Sequence, residues 1–427
     1  MSGRCTLGWM TLLTLLAPSL SHAQEGPPPG YFYSAAPQAI GGGHPGYGAP
    51  PTGPGPGAQN YYEEIPGDTG WLYDESPMEQ FLVNAFRHSY FRAEYLLLDI
   101  TNPGNVVLAE PNALAGPDSS LIDPTQPQFI SDSATGNVLT GLLPILNGIQ
   151  INENNGVRGT FGFELRDGTI EASAWALQTS SSAFDGAEFI NNPNSFFEPV
   201  IYQPVLQEGA STGFPLIYDI SYRAQLKTGV WGSELNWLWS DKNPNDNFDI
   251  RPLVGVRYFN FKETLKQRGD YTYIDQLAGS TEILERQINA GTDNYMYGPQ
   301  FGLRAELTSK WVDFGATPRV MLGLNSYKAT LNTSQILSPT EEPLFVKQTK
   351  TTFGPMADLQ VYSRLKLHEN FSILVSYNLM WAGLITRPYD NIVYDTSVTP
   401  QSGAFRQDVR TTDAVLQGIS IGGELRF

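Results

Sequence analysis

The sequence predicts an all-β fold, a single antiparallel transmembrane up-and-down β-barrel, and three observations predict it. Residues 418–427 alternate strictly, with Ile419, Ile421, Leu425 and Phe427 on one face and Ser420, Gly422, Glu424 and Arg426 on the other. A period of two with charge on one side marks a strand between two different media. The same alternation recurs along the chain, first as Phe91, Ala93, Tyr95 and Leu97 opposite Arg92 and Glu94. Short turns also alternate with long polar segments, the asymmetry of periplasmic turns and extracellular loops in outer-membrane barrels. A last strand that closes onto the first removes both exposed edges.

Composition agrees. The 427 residues hold 42 glycines and 31 prolines, with aromatics at 12% and charged residues at only 16%, which suits a sheet protein with large loops. A net charge of −17 argues against a nucleic-acid partner, which requires a basic face. Residues 1–23 read as an export signal: Arg4 gives a positive start, residues 7–16 are mostly apolar, and Ser21-His22-Ala23 offers a cleavage site before Gln24. No other apolar run approaches the roughly 18 residues of a spanning helix, so strands must do any crossing. The single cysteine, Cys5, lies in that signal, and the mature chain can form neither a disulfide nor a cysteine metal site. Residues 24–70, rich in Gly, Pro and Tyr, read as a disordered linker. Met78, Leu82, Ala85 and Phe86 recur at helical spacing, which predicts a short amphipathic helix or lead-in within 71–88. The barrel is then expected over 89–427.

The connections order the strands. Asp167-Gly168 is a two-residue hairpin signal between residues 157–165 and 169–178. Ser309-Lys310 separates 300–307 from 312–325, and His368-Glu369-Asn370 separates 353–367 from 371–381. Long polar segments cover 101–156, 179–216, 263–294, 326–351 and 382–412. Within 218–239 the apolar parity changes, from Tyr222, Ala224 and Leu226 to Trp231, Leu235, Trp237 and Trp239. Splitting this stretch would put a short turn at the long-loop end, so one strand bulged near Gly229 is expected. Residues 240–249, with Asn243-Pro244-Asn245-Asp246, then form a short turn. The count is about ten strands with both ends periplasmic; a hairpin hidden in 138–151 would make it twelve. Pro299 and Pro355 are expected near strand starts, where a missing donor is tolerated.

Phe371 and Trp381 point the same way, and their spacing spans about 25 Å of tilted strand, the height of the apolar band. With Trp237, Trp239, Trp311 and Phe427 they read as two aromatic girdles. The opposite, lumen-facing set is charged: Arg92, Glu94, Arg158, Glu164, Arg166, Glu171, Arg223, Glu234, Arg257, Arg304, Glu306, Arg319, Asp358, Arg364, Glu424 and Arg426. Both signs are interspersed, which predicts salt-bridged filling of a bore near the eight-stranded size that side chains close. The first two long segments carry Glu110, Asp118, Asp123, Asp132, Asp185 and Glu188 with no base. Together they predict an acidic mouth that favours small cationic solutes.

Ser89-Tyr90-Phe91-Arg92-Ala93-Glu94-Tyr95-Leu96-Leu97-Leu98, Val254-Gly255-Val256-Arg257-Tyr258-Phe259, Tyr297-Gly298-Pro299-Gln300-Phe301-Gly302-Leu303-Arg304 and residues 370–383 together resemble the β-barrel porin family, type seven, of planctomycete outer-membrane proteins. The resemblance runs from about Tyr90 to Phe427 and implies an outer-membrane barrel. Phe427 resembles the C-terminal signal read by the barrel-assembly machinery, an expected partner beside outer-membrane lipids.

Enzymatic chemistry finds no support in the residues. The mature histidines, His44, His88 and His368, fall outside the long segments, so neither an omptin-like Asp/His pair nor a phospholipase-like Ser/His pair can be assembled. No calcium-loop spacing or phosphate cradle occurs, and no cofactor or metal is expected. Two functions from different classes follow: a narrow passive channel for ions or small solutes, or a structural, surface-interaction protein with a filled barrel and binding loops.

Overall fold

The computed structural model describes residues 88–110, 126–131, 136–195, 197–211, 215–240, 247–275, 279–336, 338–396 and 405–427. The expected signal, linker and short helix lie outside the described residues, apart from His88, as does the turn sequence at 243–246. Ten strands close one ring: β1 (Ser89–Ile100), β2 (Asn154–Leu165), β3 (Gly168–Leu177), β4 (Ser221–Trp239), β5 (Phe248–Asp275), β6 (Ser280–Thr308), β7 (Val312–Ser334), β8 (Leu344–His368), β9 (Phe371–Ile385) and β10 (Thr412–Arg426). Neighbours pair antiparallel all the way round, and β10 returns to β1 with Tyr90 opposite Arg426 and Ile100 opposite Leu416. The twelve-strand alternative fails: Val138–Leu142 belongs to a separate four-stranded sheet outside the ring.

Strand length is where the structure departs most from the sequence reading. β5 and β6 have 28 and 29 residues, so of 263–294, expected as a loop, residues 263–275 and 280–294 are wall. Residues 326–351 likewise belong largely to β7 and β8. The reason shows along β7. Its outward positions run Val312, Phe314, Ala316, Pro318, Val320, Leu322 and Leu324, then Ser326, Lys328, Thr330 and Asn332. The inward positions run Asp313, Thr317 and Arg319, then Met321, Tyr327, Ala329 and Leu331, all buried. The backbone alternates without interruption while the polarity of both faces reverses. Below the reversal lipid meets the outside; above it water does.

The same reversal removes the bulge expected at Gly229. β4 keeps one parity from Tyr222 through Ala224, Leu226 and Val230 to Leu238, all buried and inward. The irregularity sits in the neighbouring strand instead. Trp231 opposes Ala176, but Thr228 opposes Ser180, so one extra residue lies between β3 and its continuation Ser180–Asp185. The first hairpin loop is Arg166-Asp167, because Leu165 pairs with Gly168. Trp237 lies over Gly168, where an added Cβ would come within 2.8 Å of the ring. Pro299 and Pro355 are mid-strand. Between β6 and β7 the ladder lapses from Tyr297–Leu324 to Gln300–Met321, the place where Pro299 has no donor to offer.

Above the bilayer the bore is packed. Leu108, Leu146, Ile149 and Ile151 after β1, Ile190, Ile201, Val205 and Tyr218 after β3, and Tyr389, Ile392, Tyr394 and Phe405 after β9 form one buried core with the upper inner wall. Three loops thus fold inward as a cap. That upper wall supplies Leu265, Ile288, Ala290 and Leu331, the residues whose inward apolarity made these strands read as loops.

Two outcomes test this architecture. The chain has no cysteine after Cys5, so a cysteine at exposed Glu282, beyond the polarity reversal, should react with a membrane-impermeant maleimide on intact cells. One at exposed Glu369, in a short turn, should react only after the outer membrane is opened. Val375 points outward, 49% exposed, and Val375→Arg should cost about 2–4 kcal/mol of barrel stability in liposome unfolding, against about 0–1 for Leu307→Arg on the same face near the interface. Ser376, on the inner face, is not a mild control, since it is 3% exposed and bonded to Ser420 at 2.5 Å.

Candidate functional site in the bore

The membrane-spanning part of the bore holds two layers of charge. In the lower, Arg92 donates to Glu424 at 2.7 and 3.0 Å and Arg304 grips Glu171 at 2.6 and 3.0 Å. Arg364 lies 3.0 Å from Glu306 and 3.5 Å from Glu424, and the Tyr90 hydroxyl donates to Glu171. In the upper, Glu234 and Arg257 are cross-strand neighbours on β4 and β5, and Arg319 and Asp358 on β7 and β8. Each arginine also reaches the other pair's carboxylate. Arg257 lies 2.5 Å from Glu234 and 2.6 Å from Asp358, and Arg319 lies 2.6 Å from both. Arg158 closes the remaining side, on Glu94 at 2.6 Å and on Asn378 at 3.1 Å.

These groups are desolvated and each is paired with opposite charge, the condition under which buried charge is tolerated, although Nε of Arg304 and of Arg364 has no hydrogen-bond partner. Arg158, Glu234, Arg257, Arg319 and Asp358 share a residual cavity of about 30 Å³, room for little more than one or two waters. Beneath the charge layers a cavity of about 1130 Å³ opens between Tyr90, Arg304, Glu306, Arg364, Arg426 and the short turns.

Of the candidate lumen residues, Arg223 and Arg166 are placed elsewhere. Arg223 points outward, its side chain 60% exposed and 4.0 Å from Asp185, because it lies above the reversal, where the apolar face turns inward. Arg166 sits in the first turn. Glu164 and Arg426 meet at 3.6 Å, both half exposed at the lower mouth. Of the acidic mouth set, Glu188 and Asp185 are exposed and Glu110 is half-buried, while Asp118, Asp123 and Asp132 lie outside the described residues. Among the girdle residues, Trp239 and Phe427 are exposed and Phe371, Trp237 and Trp381 lie on the outer face; Trp311 borders the lower cavity. Phe248, Phe314, Tyr295 and Phe353 are also exposed on the outer face.

Sequence reasoning missed the latch of the cap. Arg387, 2% exposed, donates to fully buried Glu263 at 2.7 and 2.9 Å and to the Thr101 carbonyl at 3.0 Å. Asn294 holds the same segment, accepting from the Thr386 amide at 2.8 Å and donating to the Thr386 carbonyl at 2.9 Å. Burial alone would lower the Arg387 pKa, but the Glu263 carboxylate outweighs it and raises it. Burial also raises the Asp390 carboxyl above its ordinary range, against the pull of Arg387, and pushes the Tyr218 hydroxyl up to about 12. Glu263 and Asn294 stood in a stretch read as loop, so their inward parity was the only available signal.

The family described as Putative beta barrel porin-7 (BBP7) matches residues 90–427. The chain belongs to this family. It is an outer-membrane β-barrel protein of porin type, and among the described residues no helix is long and apolar enough to cross a membrane. No curated protein matches it. It is similar in structure to the outer membrane protease OmpT of Escherichia coli, with 10% identity, TM-score 0.41 and coverage of 80% of this chain and 97% of that one. It is also similar to a deletion mutant of TodX, a monoaromatic hydrocarbon channel, with 8% identity, TM-score 0.24 and coverage of 81% and 92%. A FadL homologue of Pseudomonas aeruginosa shows 10% identity, TM-score 0.24 and coverage of 79% and 90%. The chemistry in those names belongs to those proteins. Among the described residues no cluster of His, Cys, Asp or Glu is placed to hold a metal ion.

The latch makes a prediction. Arg387→Met strands the Glu263 carboxylate and should cost about 3–5 kcal/mol, whereas Arg387→Met with Glu263→Leu should recover most of it. Hydrogen exchange over 385–396 reads both: protection should fall in the single variant and return in the double.

Proposed function

We propose that this porin-family barrel is a narrow outer-membrane channel for ions or small solutes, described here in a closed state. The lower cavity carries the reading: it rises from the periplasmic mouth until only interlocked side chains stand in its way. Those side chains form a charged septum, with a cap above it. Ten strands leave a bore far smaller than the 16 to 18 of open porins, so large solutes are excluded even if both seals move. The exposed carboxylates Asp185 and Glu188 favour small cations at the upper mouth, a field that salt screens over about 10 Å at 0.1 M.

A second reading is favoured by one observation, the apolar core that ties the cap to the wall through residues such as Leu146, Ile149, Ile201 and Phe405 at 0% exposure. On that reading the barrel is a filled anchor that presents its cap to an extracellular partner. Enzymatic activity is part of neither.

Planar-bilayer recording decides between them. The intact protein should be almost silent, with brief small openings. Arg257→Ala with Arg319→Ala, which leaves Glu234 and Asp358 uncompensated in the septum, should raise conductance and shift the reversal potential toward potassium in a potassium chloride gradient. Silence from both proteins at all voltages would sink the channel and leave the anchor.

A further inference from the structure

One outer wall carries a charge pattern that the bore does not use. Just above the polarity reversal, Lys262 on β5 and Lys328 on β7 flank Asp293 of β6 in one cross-strand row. In the next row Lys227 of β4 and Lys347 of β8 stand at the two ends, separated by Thr264, Gly291 and Thr330. Lys266 follows one row higher. All five are on the water-facing side of the extended wall, and Lys262, with its side chain 61% exposed, alone has a carboxylate partner among the described residues, Asp293 at 3.5 Å. At about 4.8 Å per strand, Lys262 and Lys328 stand about 10 Å apart at the backbone.

Directly beneath lies an aromatic row. Trp231 and Tyr295 are exposed at 45% and 38%, and Tyr297 and Phe353 follow below at 44% and 52%. Such rings settle at the boundary between hydrocarbon and headgroups, so the lysines stand at the height of the headgroups themselves. The other wall differs: at the equivalent outward level β1 carries Asp99, β2 Asn155, and β10 Gln417 and Asp413. In a chain of net charge −17 the lysine wall is a local reversal of sign.

We propose that this wall binds the phosphate-bearing headgroups of outer-leaflet lipids through Lys227, Lys262, Lys266, Lys328 and Lys347. Lysine is a mobile point charge, suited to a fluid headgroup and not to one fixed bidentate ligand. The five lysines are spread over three rows on the outside of the barrel, so they do not converge on one point that would hold a soluble phosphate in place. A lipid phosphate is kept at that level by its own acyl chains, against the aromatic row. The protein therefore sits in the membrane with one preferred side for anionic lipid.

Native mass spectrometry of the full-length protein, released from vesicles of equal phosphatidylglycerol and phosphatidylcholine, tests this. The intact protein should retain several-fold more phosphatidylglycerol, and added inorganic phosphate should not displace it. Lys227→Gln, Lys262→Gln and Lys328→Gln together should abolish the excess. Lys310→Gln, Arg166→Gln and Arg410→Gln, the same loss of charge elsewhere, should leave it. The corresponding lysine-to-arginine triple on the wall keeps the charge, and should keep the excess. Equal retention of both lipids by the intact protein, equal loss in the two glutamine triples, or displacement by phosphate would each overturn the proposal.

Discussion

A strand that passes from hydrocarbon into water must exchange the chemistry of its two faces while its backbone repeats unchanged, and every large feature of this barrel depends on that exchange. On β4 through β8 the outward residues go from apolar to polar within two or three positions, and the inward residues do the reverse. Because the period stays at two, hydrogen-bonded pairing continues straight through, as in the unbroken β5–β6 register from Phe248–Leu307 to Asp275–Ser280. An inner wall that is apolar above the bilayer needs apolar cover. The cap supplies it, so the plug and the extended wall are two halves of one core.

This explains what was legible in the sequence. Ten strands, their order and the closure of β10 on β1 could be read because short-turn signals such as Asp167-Gly168 and the lipid-facing runs on β7 and β9 are strong and local. The parity of Tyr222 and Ala224 was visible too, but alternation reports which residues share a face and not what that face meets. Taking apolar to mean lipid-facing placed Arg223 in the lumen and called for a bulge at Gly229. The same assumption dissolved the upper halves of β5 to β8 into loops. The cap was illegible for a different reason: its contacts join segments after β1, β3 and β9, and nothing local in Arg387 names Glu263 as its partner.

The septum shows how charge is made acceptable in a thin bore. Glu234 and Asp358 each accept from two arginines, and Gln300 adds a donor to Glu234 at 3.3 Å. Such sharing matters more for geometry than for net stability, because desolvation offsets much of the attraction. It fixes four strands at one height, β4, β5, β7 and β8, with β6 between them. Residue pairs that are only neighbours in register become a brace across the barrel.

The closure of β10 on β1 also sets an order of events. Tyr90 and Arg426 are among the most distant partners along the chain, and entropy favours late formation of such contacts. The cap draws on loops from both sides of that seam: the Thr101 amide and hydroxyl bond Val415 across it, and the Thr101 carbonyl takes the Arg387 guanidinium. A cap that is assembled across the seam cannot mature before the seam is shut. Protection of its buried core from protease is therefore an internal record that the cylinder has been completed, and a chain stalled in assembly would betray itself by an unfinished roof.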